Sequence, residues 1–427
     1  MRPLLLTLTL LASTLACAAP ERELITVVVT PNEADWTYDV GTPVTFTVHA
    51  LKDARPVEGL ALRYEISPEQ FDATEEGNAT TSAQGVVIQT AGRDKPGFLR
   101  CAVFVDYEGK TYRGDANVGF EPEEITPYVS EPADFWQFWQ DAIAQVRKVP
   151  LEPSFELLPD LSTDRVNAYH VRFRNEARNY IYGVLCVPKK PGKYPAILRV
   201  PGAGVRPYTG SSKVAEQGAI TLDIGIHGIP VRYPEETYLN LRYGALLDYN
   251  VNQAEDRDRY YYKRVFLGCV KAVDFLQSLP EWDGENIGVT GGSQGGALSI
   301  ITASLHADVD AYVSFYPAMS DMLGDLKGQA GGWPHLFSRY DAAKHPEWYG
   351  VIPYYDVVNF ARHLDKPGWM SFGYNDWVCP PTSTFAAHNV LKREPELHLY
   401  PETYHWTYPE QTAAGQAWLF EQLSAGN

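Results

Sequence analysis

Residues 287–300 read Ile-Gly-Val-Thr-Gly-Gly-Ser-Gln-Gly-Gly-Ala-Leu-Ser-Ile, and no other stretch narrows the fold as far. A β-type run ends at Thr290 and a helical run begins near Gln294. Between them the pattern Gly-x-Ser-x-Gly sets Ser293 at a strand-to-helix junction. So tight a turn needs side chains to be missing where backbone segments crowd, which accounts for Gly291 and Gly295. A serine held there projects its oxygen above the edge of a sheet. The pattern alone also fits a plain glycine-rich turn. The strand before it and the helix after it are the context that singles out a nucleophile turn.

The surroundings of this turn are built the same way. Short apolar runs at 182–187, 196–200, 219–223, 287–290, 311–315, 369–372 and 397–400 read as buried strands. Helical stripes separate several of them. Phe266, Cys269, Val270, Val273 and Leu276 recur at spacings of three and four, and Phe135, Trp136, Phe138 and Trp139 open an amphipathic helix. Strands alternating with helices imply a mostly parallel sheet covered by helices on both faces, an α/β-hydrolase fold over residues 133–427. Residues 20–120 are different. Val44, Phe46 and Val48 alternate with threonine, and Leu62, Tyr64 and Ile66 alternate with charged residues. Further runs lie at 25–29, 86–88 and 101–105. Period-two alternation predicts a small all-β sandwich, immunoglobulin-like, with no catalytic cluster of its own. The acidic, proline-bearing stretch 121–132 reads as the linker. A chain of 427 residues has room for both units.

The first 19 residues predict an export signal: Arg2, an apolar run over 4–15, then Ala16, Ala18 and Ala19. The run is too short to span a bilayer. The expected destination is outside the cytoplasm, secreted or periplasmic. Leu15-Ala16-Cys17 is lipobox-like, so a second reading stays open in which Cys17 carries a lipid and the membrane is a partner. The formal charge of −17 repels phosphate backbones, which excludes nucleic acid as a partner and suits a neutral substrate. Cys101, Cys186, Cys269 and Cys379 lie far apart with no CxxC spacing, so they read as buried free thiols and no zinc site is expected.

A serine hydroxyl needs a base before it attacks, and in this fold the partners follow in the order serine, acid, histidine. Seven histidines follow Ser293. His388 falls in a helical run and His398 inside the last strand. His405 comes just past that strand, in Pro-Glu-Thr-Tyr-His-Trp, and is the expected base. The acid should leave the end of the preceding strand, where Gly373-Tyr374-Asn375-Asp376 supplies Asp376. Asp356 and Asp365 precede that strand and read as surface or capping residues. The oxyanion of an acyl transfer needs backbone donors. The amide of Gln294 is one, and that of Ala203, in the loop Val200-Pro201-Gly202-Ala203-Gly204, is the other. Trp377 and Trp406 flank the acid and the base, and as aromatic rings that can stack on sugars they are substrate-side candidates. No metal or organic cofactor is called for.

At these residues the chain resembles the acetyl xylan esterase and cephalosporin C deacetylase family, carbohydrate esterase family 7, from about Pro132 to the C-terminus. The likeness rests on Asp256-Arg-Asp-Arg-Tyr260-Tyr-Tyr-Lys-Arg-Val265, on 272–280, on the Gly-Gly-Ser-Gln-Gly-Gly core, on 355–361, and on Gly373-Tyr-Asn-Asp376-Trp-Val-Cys-Pro-Pro381. The resemblance implies a triad of Ser293, Asp376 and His405 and deacetylation of sugar or cephalosporin esters. Acetylated plant polysaccharides or oligosaccharides are then the expected partners. The chain departs from the family at three places. His227 stands where the family usually has glutamine, which makes it a further substrate-side candidate. The loop usually written His-Gly-Tyr is Pro201-Gly202-Ala203 here. The N-terminal domain is an addition, which bears on the ring-shaped homo-oligomer the family forms. Two other readings stay open: a serine peptidase of the same fold, and a non-catalytic carbohydrate-binding protein.

Overall fold

The computed structural model describes residues 24–176 and 179–424. The expected export signal, with Cys17, lies outside them. Among the described residues no helix is long and apolar enough to cross a membrane.

Nine strands come first: β1 (Thr26–Pro31), β2 (Thr37–Tyr38), β3 (Val44–Lys52), β4 (Arg55–Pro56), β5 (Ala61–Pro68), β6 (Glu75–Thr80), β7 (Val86–Thr90), β8 (Gly97–Tyr107) and β9 (Lys110–Phe120). β1, β3, β4 and β7 make one sheet, and a second runs β2-β9-β8-β5-β6. Phe46 and Val48 from the first sheet share one buried core with Leu62, Val103 and Val118 from the second. The alternation in β3 therefore has its expected cause, since every second residue faces the other sheet. β6 and β9 carry no such signal. β6 reads Glu-Glu-Gly-Asn-Ala-Thr and is an edge strand exposed along most of its length. β9 is broken by glycines and charges, and its pairing with β8 decides it.

Residues 121–132 do not hang free. Ile125 is buried with Phe98, Phe372, Tyr374 and Phe385, and Val129 is buried in the main core.

A third, nine-stranded sheet follows: β10 (Ser154–Leu157), β11 (Val166–Arg174), β12 (Tyr180–Pro188), β13 (Tyr194–Arg199), β14 (Ile220–Gly225), β15 (Trp282–Gly292), β16 (Ala311–Phe315), β17 (Gly368–Phe372) and β18 (Glu396–Leu399). Their order is β10-β11-β12-β14-β13-β15-β16-β17-β18. The six strands from β14 to β18 run parallel, and the first three join them antiparallel. β10 and β11 were not among the expected strands. β10 is an exposed edge, and in β11 the buried set slips from Val166 and Ala168 to Val171 and Phe173, which breaks the period of two.

Helices cover both faces. Phe135–Arg147, Tyr261–Gln277 and Gln294–Leu305 pack into one core, and Leu419 and Leu423 of Pro409–Ser424 pack with Ile197, Val313 and Trp369 on the other side. The chain leaves β13 for β14 on one side and then returns past β13 to β15 on the other. Neighbouring loops therefore diverge above the carboxyl ends of β13 and β15. Such a reversal of strand order opens a crevice where α/β proteins bind ligands.

Trp139 anchors the first helix. It is fully buried, and its indole N–H donates to the Tyr354 carbonyl at 3.0 Å. Trp139→Ala is expected to cost about 3–5 kcal/mol of unfolding free energy, measured by urea denaturation, because the site loses a large ring and leaves that carbonyl unpaired.

Candidate active site

Ser293 sits in the crevice where β15 ends, with φ 61° and ψ −124°. That region strongly disfavours non-glycine residues and costs about 1–3 kcal/mol, so it persists only where the surroundings impose it. They do so here through close backbone contact. A Cβ on Gly291 would lie 2.6 Å from the Val200 carbonyl oxygen, and one on Gly295 would collide with the same oxygen. The Ser293 N–H donates to the Phe315 carbonyl at 3.0 Å, and the Ser293 carbonyl accepts from the Ala318 N–H at 3.1 Å.

The three side chains expected to converge are in hydrogen-bond contact. His405 Nε2 lies 3.0 Å from Ser293 Oγ, and His405 Nδ1 lies 2.8 Å from Asp376 Oδ2. Asp376 is fully buried, and its other oxygen accepts from the N–H groups of Val378 and Cys379 at 2.8 and 2.9 Å. An ionised carboxylate only accepts, so Nδ1 carries the proton and Nε2 is left to accept from the serine hydroxyl. Tyr316 packs its ring against the imidazole at 4.6 Å between centroids. Asp356, read as a cap, accepts from Val358 N–H at the start of the helix Val357–Ala361.

Among the described residues, the one group with metal-ligand spacing is Asp376, Cys379 and His405, whose donor atoms lie within 4.8 Å of one another. The carboxylate and imidazole are already spent on each other. Burial pushes the Cys379 thiol far above its ordinary value, so it stays neutral and does not act as a thiolate ligand.

The loop after β13 closes the other side. A Cβ on Gly202 would stand 3.3 Å from the Gly292 carbonyl and 3.9 Å from Ser293 Cβ, so this loop flanks the serine. Arg206 donates to the carbonyls of Gly202 and Ala203 at 3.1 and 2.7 Å. In a trans peptide the N–H points opposite to the C=O, so the Ala203 amide turns away from Arg206. Gln294 braces the loop. Its Nε2 donates to the Pro201 carbonyl at 3.2 Å, while its Oε1 accepts from the hydroxyls of Tyr249 and Tyr262 at 3.0 and 2.8 Å. The Tyr249 hydroxyl in turn accepts from Gly204 N–H at 3.2 Å.

Two substrate-side candidates face elsewhere. His227 is buried, with Nε2 at 3.0 Å from the Gly204 carbonyl and Nδ1 at 2.6 Å from the Tyr261 hydroxyl. A carbonyl only accepts, so Nε2 is the donor and Nδ1 accepts from Tyr261. Both nitrogens are occupied, and His227 holds the loop from behind rather than reaching a substrate. Trp377 is turned toward the N-terminal sandwich, between the guanidinium groups of Arg100 and Arg113, 4.1 and 3.8 Å from its ring. Trp406 differs: it is 42% exposed beside His405, with its ring edge against Tyr408. Tyr249 and Tyr262 escaped the sequence reading. Tyr262 lies in the Tyr260-Tyr-Tyr block that carries the family likeness, but nothing local marks Tyr249.

Known proteins resemble the chain in sequence and in fold. The family model described as Acetyl xylan esterase (AXE1) matches residues 121–422. The chain is 38% identical over 434 residues to acetyl esterase Axe7A of Xylanibacter ruminicola, covering 99% of this chain and 97% of that protein. Among solved structures, an acetyl xylan esterase from Paenibacillus sp. R4 superposes with a TM-score of 0.61 at 27% identity, over 70% of this chain and 98% of that one. Acetyl xylan esterase 1 from Thermoanaerobacterium sp. JW/SL YS485 shares the fold, with a TM-score of 0.61 at 23% identity over 71% and 98%.

Burial pushes the His227 imidazole down to about 4, and the hydrogen bond to Gly204 only partly opposes this. The folded state therefore resists a proton that the unfolded chain accepts at ordinary values. The stability this neutral imidazole contributes is complete above about pH 6.5 and is lost as the pH falls toward 4. His227→Gln can keep both hydrogen bonds without titrating. Between pH 7 and pH 4 the wild type is expected to lose up to about 3 kcal/mol more than this variant, measured by urea unfolding.

Proposed function

The chain belongs to the acetyl xylan esterase family and is a carboxylic ester hydrolase, and from that premise we propose that it removes acetyl groups from plant-type polysaccharides or their oligosaccharides through an acyl-serine intermediate. The observation that carries this reading is the unbroken hydrogen-bond chain from a strained serine through His405 to a buried Asp376.

In the proposed cycle Ser293 Oγ attacks the ester carbonyl while its proton passes to His405 Nε2. Asp376 holds the tautomer and stabilises the imidazolium. Negative charge collects on the former carbonyl oxygen, and the amides of Ala203 and Gln294 are its donors. Gln294 opens a helix, so its N–H has no partner within that helix. The carbon–oxygen bond to the sugar breaks as His405 returns the proton to the leaving alcohol. Water then adds to the acyl-enzyme by the same route, and acetate leaves. In this reading Trp406, exposed beside His405, stacks on the sugar.

The catalytic unit in this reading is residues 133–427, with residues 20–120 as an accessory domain and 121–132 as the connection. The N-terminal 19 residues direct export, which brings the enzyme to polymeric substrate.

Acetate release from a panel of acetylated sugars and xylans tests the proposal. The wild type is expected to release acetate, and Ser293→Ala to lose about 10⁴-fold or more in kcat. Comparable activity in the variant would remove Ser293 from the mechanism. Cleavage of aminoacyl-arylamides without acetate release would mark a peptidase of the same fold.

A further inference from the structure

The residue before the proposed acid spends its side chain outside the catalytic sheet. Asn375 Oδ1 accepts from the backbone N–H of Asn117 at 2.9 Å, and Asn375 Nδ2 donates to the Asp115 carbonyl at 3.3 Å. Both backbone groups belong to β9 of the N-terminal sandwich. β9 pairs with β8 along one edge, and on the other edge β2 reaches only Gly119 and Phe120. In an antiparallel strand, residues two apart point their polar groups the same way. Asp115 and Asn117 therefore present an unpaired edge, and the side-chain amide of Asn375 fills the place of a strand peptide. The same Nδ2 reaches the Glu402 carbonyl at 3.4 Å, on the loop that carries His405.

Further contacts bind the sandwich to the acid loop. Asn117 Nδ2 donates to the Tyr374 carbonyl and to Glu69 Oε1, each at 2.8 Å. Glu69 Oε2 accepts from Thr382 N–H at 3.2 Å. Gln70 Nε2 donates to the Trp377 carbonyl at 2.8 Å. The Trp377 ring lies between Arg100 and Arg113, and Arg113 is itself held by two-oxygen contact with Asp115. The Tyr404 side chain, one residue before His405, hydrogen-bonds the Asp115 backbone, within electrostatic reach of Arg113 and Arg100. The residues immediately preceding the acid and the base thus lean on one strand. Phe98 of the sandwich, Ile125 and Phe372, Tyr374 and Phe385 of the catalytic unit close an apolar cluster beneath them.

We propose that β9 of the N-terminal sandwich is a positioning element for the triad, with Asn117, Arg113 and Asn375 holding the loops of Asp376 and His405 in mutual register. The inference rests on the triad reading above and deepens it. The sandwich is then a working part of the hydrolase rather than a separate binding module.

The test uses the full chain with Asn375→Ala, Asn117→Ala and Arg113→Met, measured on an acetyl ester and normalised to the fraction of Ser293 labelled at end point by a phosphonate. Positioning predicts a kcat lowered by about 10–100-fold with KM nearly unchanged. It also predicts an acid limb of kcat/KM moved to lower pH, because a displaced Asp376 stabilises the imidazolium less. Arg113→Lys, which keeps a cation over Trp377, should recover part of the loss. Arg113 is partly exposed, so its variant should fold even if the buried asparagines do not tolerate alanine. Wild-type kcat and pH profile in folded variants would overturn the inference, as would a loss that vanishes after normalisation. Ser293→Ala separates the two levels. If it stays active, the triad reading itself falls. If it is inactive while the clamp variants behave as wild type, only the clamp falls.

Discussion

The constraint on which the site depends is the pressing of the serine turn against the end of β13. The Val200 carbonyl occupies the space where side chains on both Gly291 and Gly295 would stand. With those side chains missing, β15 can end, turn and enter the helix Gln294–Leu305 within a few residues. The backbone of Ser293 is then driven into its disfavoured conformation with its oxygen outward. The same proximity sets the loop after β13 beside the serine, so Ser293 and that loop are placed by one contact. The reversal of strand order between β13 and β15 keeps the space above them open.

Around this contact the polar groups are layered. Gln294 is buried and uses its whole amide to tie Pro201 to Tyr249 and Tyr262, and Tyr249 and His227 each hold Gly204. The loop is stiffened from behind, which suits backbone donors that must be aimed before charge develops. On the opposite side Asp376 is held by two backbone amides of its own loop, and that loop is gripped by the sandwich. Beside His405, Trp406 stands exposed.

Much of this was legible along the chain because short-range rules govern it. A turn of this kind demands glycine at fixed offsets from serine. Buried parallel strands must be apolar runs. The acid and the base must leave the ends of the strands that follow. Asp376 and His405 could therefore be named from chain order, and they lie within hydrogen-bond reach of each other and of Ser293. Strands β6, β9, β10 and β11 were not legible. Their patterns are polar, interrupted or shifted, and pairing with a neighbour is what makes them strands.

What the sequence determined by itself was the α/β layering of the second unit, the strained serine turn and the chain order of the residues that meet there, all of which are encoded in local spacing. What only the tertiary structure decided was where the remaining side chains point. His227 and Trp377 lie close in sequence to the expected site, but one braces a loop from behind and the other is held by the arginines of a different sheet. The reason is physical. Spacing along a strand or helix says which residues share a face, but a hydrogen bond between Asn375 and a strand some 260 residues earlier depends on how two layers distant in sequence meet.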